Sequence, residues 1–360
     1  MFAQTSVLNG AVYALEKEKK DALFSQMLGD LTRKHYAGCA GYRKILDLMG
    51  FDVACLTRPE NFPFLPVRLF KEYDLLSVPR EEIVKTITSS GTSNQQVSRI
   101  HLDRETSANQ TKALAKIASS FLGAQRLPML IIDSQAVIKD RTQFSARGAG
   151  ILGFSMLGRD QSYALDENLE LDLEGVAAFL DRHHGEPVML FGFTYMIWAH
   201  FLRVLRKRGV KLDISEGIII HGGGWKKLVE QSVDNAKFRR TAKELCGIRR
   251  VHNYYGMAEQ TGSIFMECEE GYFHAPIYSD VIIRNPRDFG PMGPGGQGLI
   301  QLLSLLPGSY PGHSILSEDI GELIGQDDCP CGRKGKYFII HGRLQDAEIR
   351  GCSDTHAASR

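Results

Sequence analysis

The sequence has no long hydrophobic run. Its most apolar stretches, Met129 to Ile132 and Gly217 to Ile220, fall far short of the roughly twenty residues that cross a bilayer, so no membrane span is expected. The first residues, Met1 to Gly10, lack a charged segment followed by an apolar core, so no secretory signal is expected either. A charge excess is also missing. The 43 Lys+Arg face 42 Asp+Glu, and no basic run carries interleaved aromatics, which argues against a nucleic-acid partner. Internal repeats and low-complexity segments are absent. Cysteine is sparse: the 360 residues contain 7, an odd number, scattered through a chain long enough to build its own core. That distribution excludes a disulfide framework, points to thiol chemistry or metal binding, and predicts a cytoplasmic protein.

What is present is an ordinary globular composition, 43% hydrophobic and 24% charged. The first seventy residues read as helical and irregular, broken by Phe62-Pro63-Phe64-Leu65-Pro66. Beyond them, β-branched runs alternate with amphipathic ones. Strands are predicted at Ile83 to Thr88, Met129 to Ile132, Val188 to Phe191, Gly217 to His221 and Arg250 to Tyr255. Helices are predicted at Arg104 to Leu122, Thr194 to Lys207 and Trp225 to Leu245. The alternation predicts an α/β fold with a mostly parallel, helix-covered sheet. After Gly262 the pattern changes to short strands, Ile277 to Arg284, Leu299 to Leu306, Gly321 to Gly325 and Lys336 to His341, which predict a smaller β-rich subdomain. The charge run Glu16 to Lys20 reads as an exposed helix face, and His183-His184 as a solvated turn.

Three loops invite a nucleotide. Thr88-Ser89-Ser90-Gly91-Thr92-Ser93 follows a strand with five small hydroxyl residues around one glycine. Its N–H and hydroxyl groups can converge on phosphate oxygens, or it can be a polar surface loop; the Walker lysine is absent. His221-Gly222-Gly223-Gly224 ends a strand, and its glycines either let a flat group approach the backbone or form a tight turn. Asn253-Tyr254-Tyr255-Gly256-Met257-Ala258-Glu259 puts aromatics and a carboxylate at a strand's carboxyl end, where open α/β sheets bind ligands. A tyrosine there can stack on a base, and a glutamate can hold Mg²⁺ near phosphates.

Together with Ser317-Glu318-Asp319, Gly321-Glu322-Leu323 and Gly342-Arg343, these segments resemble in order and spacing the core motifs of the adenylate-forming superfamily. That superfamily includes the acyl-CoA synthetases, the adenylation domains and firefly luciferase. The resemblance implies that Thr88 to Ser93 form the phosphate loop and that Gly222, Gly223 and Gly224 flank the adenine. It also implies that Tyr255, followed by Gly256, stacks on the base and that Glu259 holds Mg²⁺. Asp319 would bind the ribose hydroxyls and Arg343 would reach the ribose or a phosphate. One position departs: Ala258 stands where a Thr or Ser is usual, so a hydroxyl contact to the α-phosphate is missing or comes from elsewhere.

Within the superfamily the chain resembles the acyl-protein synthetases (LuxE family), from Leu65-Pro66-Val67 and Phe70-Lys71 through Ala347 to Ser353; the phenylacetate-CoA ligases are more distant. The resemblance implies an adenylate-forming core over 1–262, a β-rich subdomain completing the nucleotide site over 263–343, and a mobile tail over 344–360. With 17 residues after Arg343, the usual C-terminal lid domain with its lysine is expected to be absent. In the family a cysteine near the C-terminus accepts the activated acyl group, and a partner reductase takes it; Cys352 matches that position. Arg350 and His356 nearby would favour its thiolate.

The expected reaction is ATP- and Mg²⁺-dependent activation of a fatty acid as acyl-AMP, followed by transfer to Cys352. One alternative is a small ligase that uses coenzyme A as the thiol. Another is an inactive nucleotide-binding regulatory partner, to which Ala258 and the missing lysine domain point. Separately, Cys329-Pro330-Cys331-Gly332 and the pair Cys268 and His274 form two short clusters on turns. They can supply Cys₃His to a structural zinc, or they are free thiols in a reducing compartment. Cys39, Cys55 and Cys246 read as buried or incidental thiols, and Phe191-Gly192-Phe193-Thr194 reads as core or as acyl-pocket lining.

Overall fold

The computed structural model describes residues 7–53, 58–89, 97–138, 146–225 and 232–344. Ser90, Gly91, Thr92, Ser93, Cys55 and Cys352 lie outside the described residues. Among the described residues, no helix is long and apolar enough to cross a membrane.

The parallel half of the main sheet is built from β4 (Leu127–Ser134), β5 (Gly158–Leu165), β6 (Met189–Phe193), β7 (Ile218–Gly222) and β8 (Arg250–Tyr255), in the order β5-β4-β6-β7-β8. Successive side chains on a strand point to opposite faces, and both faces here are covered. Met129, Ile131, Met189, Phe191, Ile218 and Ile220 pack on one side. Leu130, Ile132, Leu190 and Ile219 pack on the other. Continuous apolar runs are what such two-sided burial demands. The first face carries α1 (Lys17–Gly38), α4 (Arg104–Leu122) and α5 (Ala146–Ser155); the second carries α6 (Leu173–Arg182), α7 (194–208) and α8 (Asn235–Cys246). The helices α2 (Ala40–Leu48) and α3 (Leu69–Glu72) pack with the short β1 (Leu65–Pro66) in a smaller cluster. Helix α4 has the bounds its sequence signals predict. The Asp103 carboxylate accepts from Thr106 N at 2.7 Å, and Gly123 with φ +91° ends it.

At β8 the sheet changes character. The strands β9 (Phe265–Glu267), β10 (Phe273–His274), β15 (Lys336–Arg343), β14 (Ser314–Gln326), β13 (Gln297–Ser304), β11 (Ser279–Arg284) and β12 (Pro291–Met292) follow in that spatial order, every pair antiparallel. The α/β expectation therefore holds with a mixed sheet, half parallel and half antiparallel. The strand predicted at Gly321 to Gly325 is part of the 13-residue β14, whose glycines sit at irregularities in its register with β15.

Three expectations need correction, and the helical reading of α7 gains a detail. The strand β2 (Ile83–Thr88) does not enter the parallel sheet; it pairs antiparallel with β3 (Arg99–Asp103) in a separate two-stranded ribbon. Helix α8 begins at Asn235 rather than near Trp225, because Asp234 caps it by accepting from Lys237 N at 2.6 Å. Within α7 the middle, Ile197–Leu202, winds as a π-helix that turns Trp198, Phe201 and Leu202 inward. Two charged or polar side chains read as solvated are buried. The Lys20 ammonium sits between the Ala275 carbonyl and Asp280, and His183 packs on Phe179.

Candidate active site

The carboxyl ends of β7 and β8 lie side by side, with Gly222 paired to Tyr254. A Cβ on Gly222 would fall 2.4 Å from the Tyr254 ring, so only glycine lets the strand end lie against that ring. The following carbonyls are fixed by Thr194, whose hydroxyl donates to Gly223 O at 2.9 Å and lies 3.2 Å from Gly222 O. His221 Nδ1 is 2.9 Å from the same hydroxyl, and the ring stacks on Phe238. Burial pushes the His221 imidazole down to about 3, so at neutral pH it is uncharged.

One residue further along β8 the side chain of Tyr255 points to the other face. Its hydroxyl donates to Asp319 Oδ2 at 2.6 Å, and Phe265, Phe273 and Phe338 surround its ring. Burial first, then the Asp319 carboxylate, raises its phenol well above the usual value, so it stays a donor. The structure thus makes Tyr255 the support of Asp319; with 2% exposure it offers no open face to a base. In β14, Asp319 pairs across to Arg343 of β15, and Arg343 donates to Glu318 at 2.7 Å. The Asp319 and Arg343 expected at one ribose are therefore cross-strand neighbours.

After Tyr255, the chain turns through Gly256 into a 3₁₀ turn, Ala258–Gln260, that carries Glu259. The turn is held from below: Tyr310 OH donates to Glu259 O at 2.9 Å, and Gln260 Nε2 donates to Leu302 O and Gly312 O. The Glu259 carboxylate is 1% exposed and accepts from the Ser98 hydroxyl at 2.6 Å. Ser98 belongs to the ribbon β2–β3: its N donates to Ser89 Oγ at 2.9 Å and its carbonyl accepts from Ser89 N at 3.1 Å. The neck of the hydroxyl-rich loop, Glu259, Tyr255, Asp319 and Arg343 are thereby joined by direct contacts or by sequence.

A second cluster lies where the β9–β10 hairpin meets the turn between β14 and β15. The ligand atoms of Cys268, His274, Cys329 and Cys331 all lie within 4.8 Å of one another. Cys268 Sγ is 4.0 Å from Cys329 Sγ, and Cys331 Sγ is 3.4 Å from His274 Nε2. A tetrahedral zinc with Zn–S near 2.3 Å and Zn–N near 2.0 Å needs ligand separations of about 3.5–3.8 Å, so the donor set fits that ion. His274 stacks on Tyr337, and burial pushes it down to about 4, leaving the neutral imidazole that a metal requires.

The sequence profile of the family described as acyl-protein synthetase, LuxE, matches residues 3–359. The chain belongs to that family. A long-chain-fatty-acid–luciferin-component ligase of Vibrio harveyi is 22% identical over 350 residues, covering 95% of this chain and 88% of the relative. The ligase of the same name from Aliivibrio fischeri is 22% identical over 303 residues, covering 82% and 77%. A solved structure of 2-hydroxyisobutyryl-CoA ligase, in an open conformation with 2-HIB-AMP and CoA, shares the fold with a TM-score of 0.69 at 16% identity, over 94% of this chain and 78% of that one. The chain is thus a member of a ligase family with the fold of an adenylate-forming enzyme.

For this family member, Ser98 and Tyr310 carried no sequence signal, and Thr194 was read only as the end of a core or pocket-lining segment. Ser98, Thr194 and Tyr310 are isolated hydroxyls whose partners lie 161, 29 and 51 positions away. Cys39 and Cys246 are buried thiols, as read; burial raises Cys246 to about 12, which keeps it inert.

Proposed function

We propose that this protein activates a long-chain fatty acid with ATP and passes the acyl group to its own Cys352 for delivery to a partner reductase. The observation that carries the reading is the chain of contacts from Ser89 through Ser98 to Glu259, and from Tyr255 to Asp319 and Arg343. It brings together five sequence segments with the chemistry of a nucleotide site at the carboxyl end of the parallel strands. Thr88, Ser89 and the following Ser90, Gly91, Thr92 and Ser93 would face the phosphates, and Gly222, Gly223 and Gly224 the adenine. Asp319, oriented by Tyr255, would accept from the ribose hydroxyls, with Arg343 beside it.

In the first step a carboxylate oxygen attacks the α-phosphorus of ATP and pyrophosphate leaves, giving acyl-AMP. The protein contributes position and fixed charge rather than covalent chemistry. Glu259 is a hard oxygen donor suited to Mg²⁺, which, bound with ATP, offsets charge on the phosphates. In the second step the Cys352 thiolate attacks the acyl carbon, AMP leaves, and an acyl thioester remains. Cys268, His274, Cys329 and Cys331 would hold a zinc whose four protein ligands leave no open position, so its part is structural.

Labelled fatty acid with ATP tests the whole reading: label is expected on the protein, in a hydroxylamine-labile bond. Label on coenzyme A would assign the thiol to that cofactor, and no label at all would make the chain a nucleotide-binding regulator. Cys352→Ser should still exchange pyrophosphate into ATP in the presence of the acid while carrying no labile acyl group. Undiminished acylation of that variant would remove Cys352 from the mechanism.

A further inference from the structure

Position 258 is an alanine, so the hydroxyl that adenylate-forming ligases usually place just before the glutamate is missing from this chain. The structure brings a hydroxyl from elsewhere in the chain to the neighbouring Glu259 carboxylate. Ser98 Oγ donates to Glu259 Oε1 at 2.6 Å, within the short range of hydrogen bonds from a hydroxyl to an ionised acceptor. Neither residue is open to water: Ser98 is 0% and Glu259 1% exposed. In such surroundings a carboxylate depends on protein donors for its orientation and its charge.

The two ends of this contact are held independently of each other. The Glu259 main chain is fixed by Tyr310, and the next residue is anchored by its side chain, Gln260 Nε2 donating to Leu302 O and Gly312 O. Ser98 is fixed by a reciprocal pair with Ser89, N to Oγ at 2.9 Å and N to O at 3.1 Å. A glutamate on a fixed main chain still has three side-chain torsions, and the Ser98 hydrogen bond restricts all three at once. Through Ser89, which stands at the start of the hydroxyl-rich loop, the same contact ties the neck of that loop to the carboxylate.

We propose that Ser98 is a positioning residue of this active site, a hydroxyl from the loop neck that orients the Glu259 carboxylate. The assignment rests on the acid-activation reading above. Ser98 acts through Glu259: it sets the direction of the carboxylate that would hold the metal. Its loss should therefore act on turnover and on Mg²⁺ dependence, not on acid binding.

The test is fatty-acid-dependent pyrophosphate exchange, with Mg²⁺ titrated at fixed ATP, on the full chain. Ser98→Ala should lower kcat roughly ten- to a hundredfold, the rate equivalent of one hydrogen bond to a charged group. It should also raise the Mg²⁺ concentration at half-maximal rate and leave KM for the acid unchanged. Ser98→Thr, which keeps the hydroxyl, should restore most of the rate. In a Glu259→Gln background, Ser98→Ala should cost nothing further, because the partner it orients is gone. Should Ser98→Ala fail to fold by its melting curve, Ser98→Cys replaces it, with a thiol of similar size and weak donor strength, and the same loss is expected. A wild-type rate in the folded alanine or cysteine variant overturns the assignment, as does a full additional loss in the Glu259→Gln background. Wild-type protein that exchanges pyrophosphate with no acid fails the acid-activation reading itself, and the assignment falls with it.

Discussion

Glu259 and Asp319 are both buried acids, each 1% exposed, yet their neighbours give them different work. Asp319 receives the Tyr255 hydroxyl and lies beside Arg343, a fixed arrangement suited to neutral hydroxyls that do not change during reaction. Asp319→Ala should chiefly raise KM for ATP, by the equivalent of roughly 2–4 kcal/mol for two hydrogen bonds to a charged acceptor. Tyr255→Phe keeps the ring in its phenylalanine cluster and removes only the donor, so it should raise the same KM about tenfold with kcat little changed. Glu259→Gln should instead lower kcat roughly a hundredfold, since the charge it balances is redistributed as phosphorus is attacked. Steady-state adenylation kinetics separate the three, and equal effects on both constants in all of them would refute the division of labour. The residues in these predictions were legible because they cluster in short motifs. Ser98 and Tyr310 were not, nor was the role of Thr194, because a serine, threonine or tyrosine 29 to 161 positions from its partner looks like any other.

At the scale of elements, strand and helix bounds followed the sequence where local signals were complete. The strands β2 and β8 and the helix α4 carry the residues expected, to the last position. The start of α8 was misplaced because an apolar tryptophan imitates a helix face, whereas the stopping signal is one aspartate cap. What local signals cannot give is pairing. Nothing in Ile83 to Thr88 says that its neighbour is β3, and nothing in the Cys268 hairpin says that the Cys329 turn lies against it. The zinc set tests that second juxtaposition directly. Purified protein should contain close to one zinc per chain, and Cys331→Ala should lose the metal and melt lower by about 5 °C or more. Chelation of wild-type protein should lower its melting temperature in the same way, because the ion would add a cross-link between two hairpins that also meet through the β10–β15 pairing, the Arg333–Glu269 ion pair and the Tyr272–Tyr337 rings. Metal-free protein with an unchanged melting temperature would leave four unligated side chains and no staple.

Across the whole molecule, one sheet runs through both halves, and its buried polar groups are the expensive part of the design. The inner strands β4, β6 and β7 were legible because two-sided burial writes itself as unbroken apolar runs, whereas the polar, partly exposed β5 carries no such run and was not expected. The antiparallel half was read as short strands because β14 is interrupted by glycines and polar residues that face the site. Four buried histidines outside the metal cluster set a condition on the whole fold. Burial lowers His221 and His313 to about 3 and His252 to about 4, and holds His35, stacked on His313, well below its ordinary value. The unfolded chain would protonate these rings near pH 6.5, while the folded one resists until far lower pH. Between those values the unfolded state binds more protons, so stability is full above about pH 6.5 and falls as pH falls, by up to about 1.4 kcal/mol per pH unit for each histidine. Glu267, whose carboxyl burial raises, works in the opposite sense, but it is one group against four. Asp280 cannot account for an early loss: the Lys20 and Lys336 ammonium groups outweigh its burial and depress its carboxyl, so its contribution is lost only below about pH 4. The urea midpoint should therefore hold steady from pH 8 to about pH 6.5 and then fall steeply, above the range in which ordinary carboxylates titrate. His313→Gln, which cannot charge, should be less stable at pH 8 but show a shallower fall below pH 6.5. A midpoint that stays level down to pH 5 would mean that these rings are already protonated or hydrated in the folded protein.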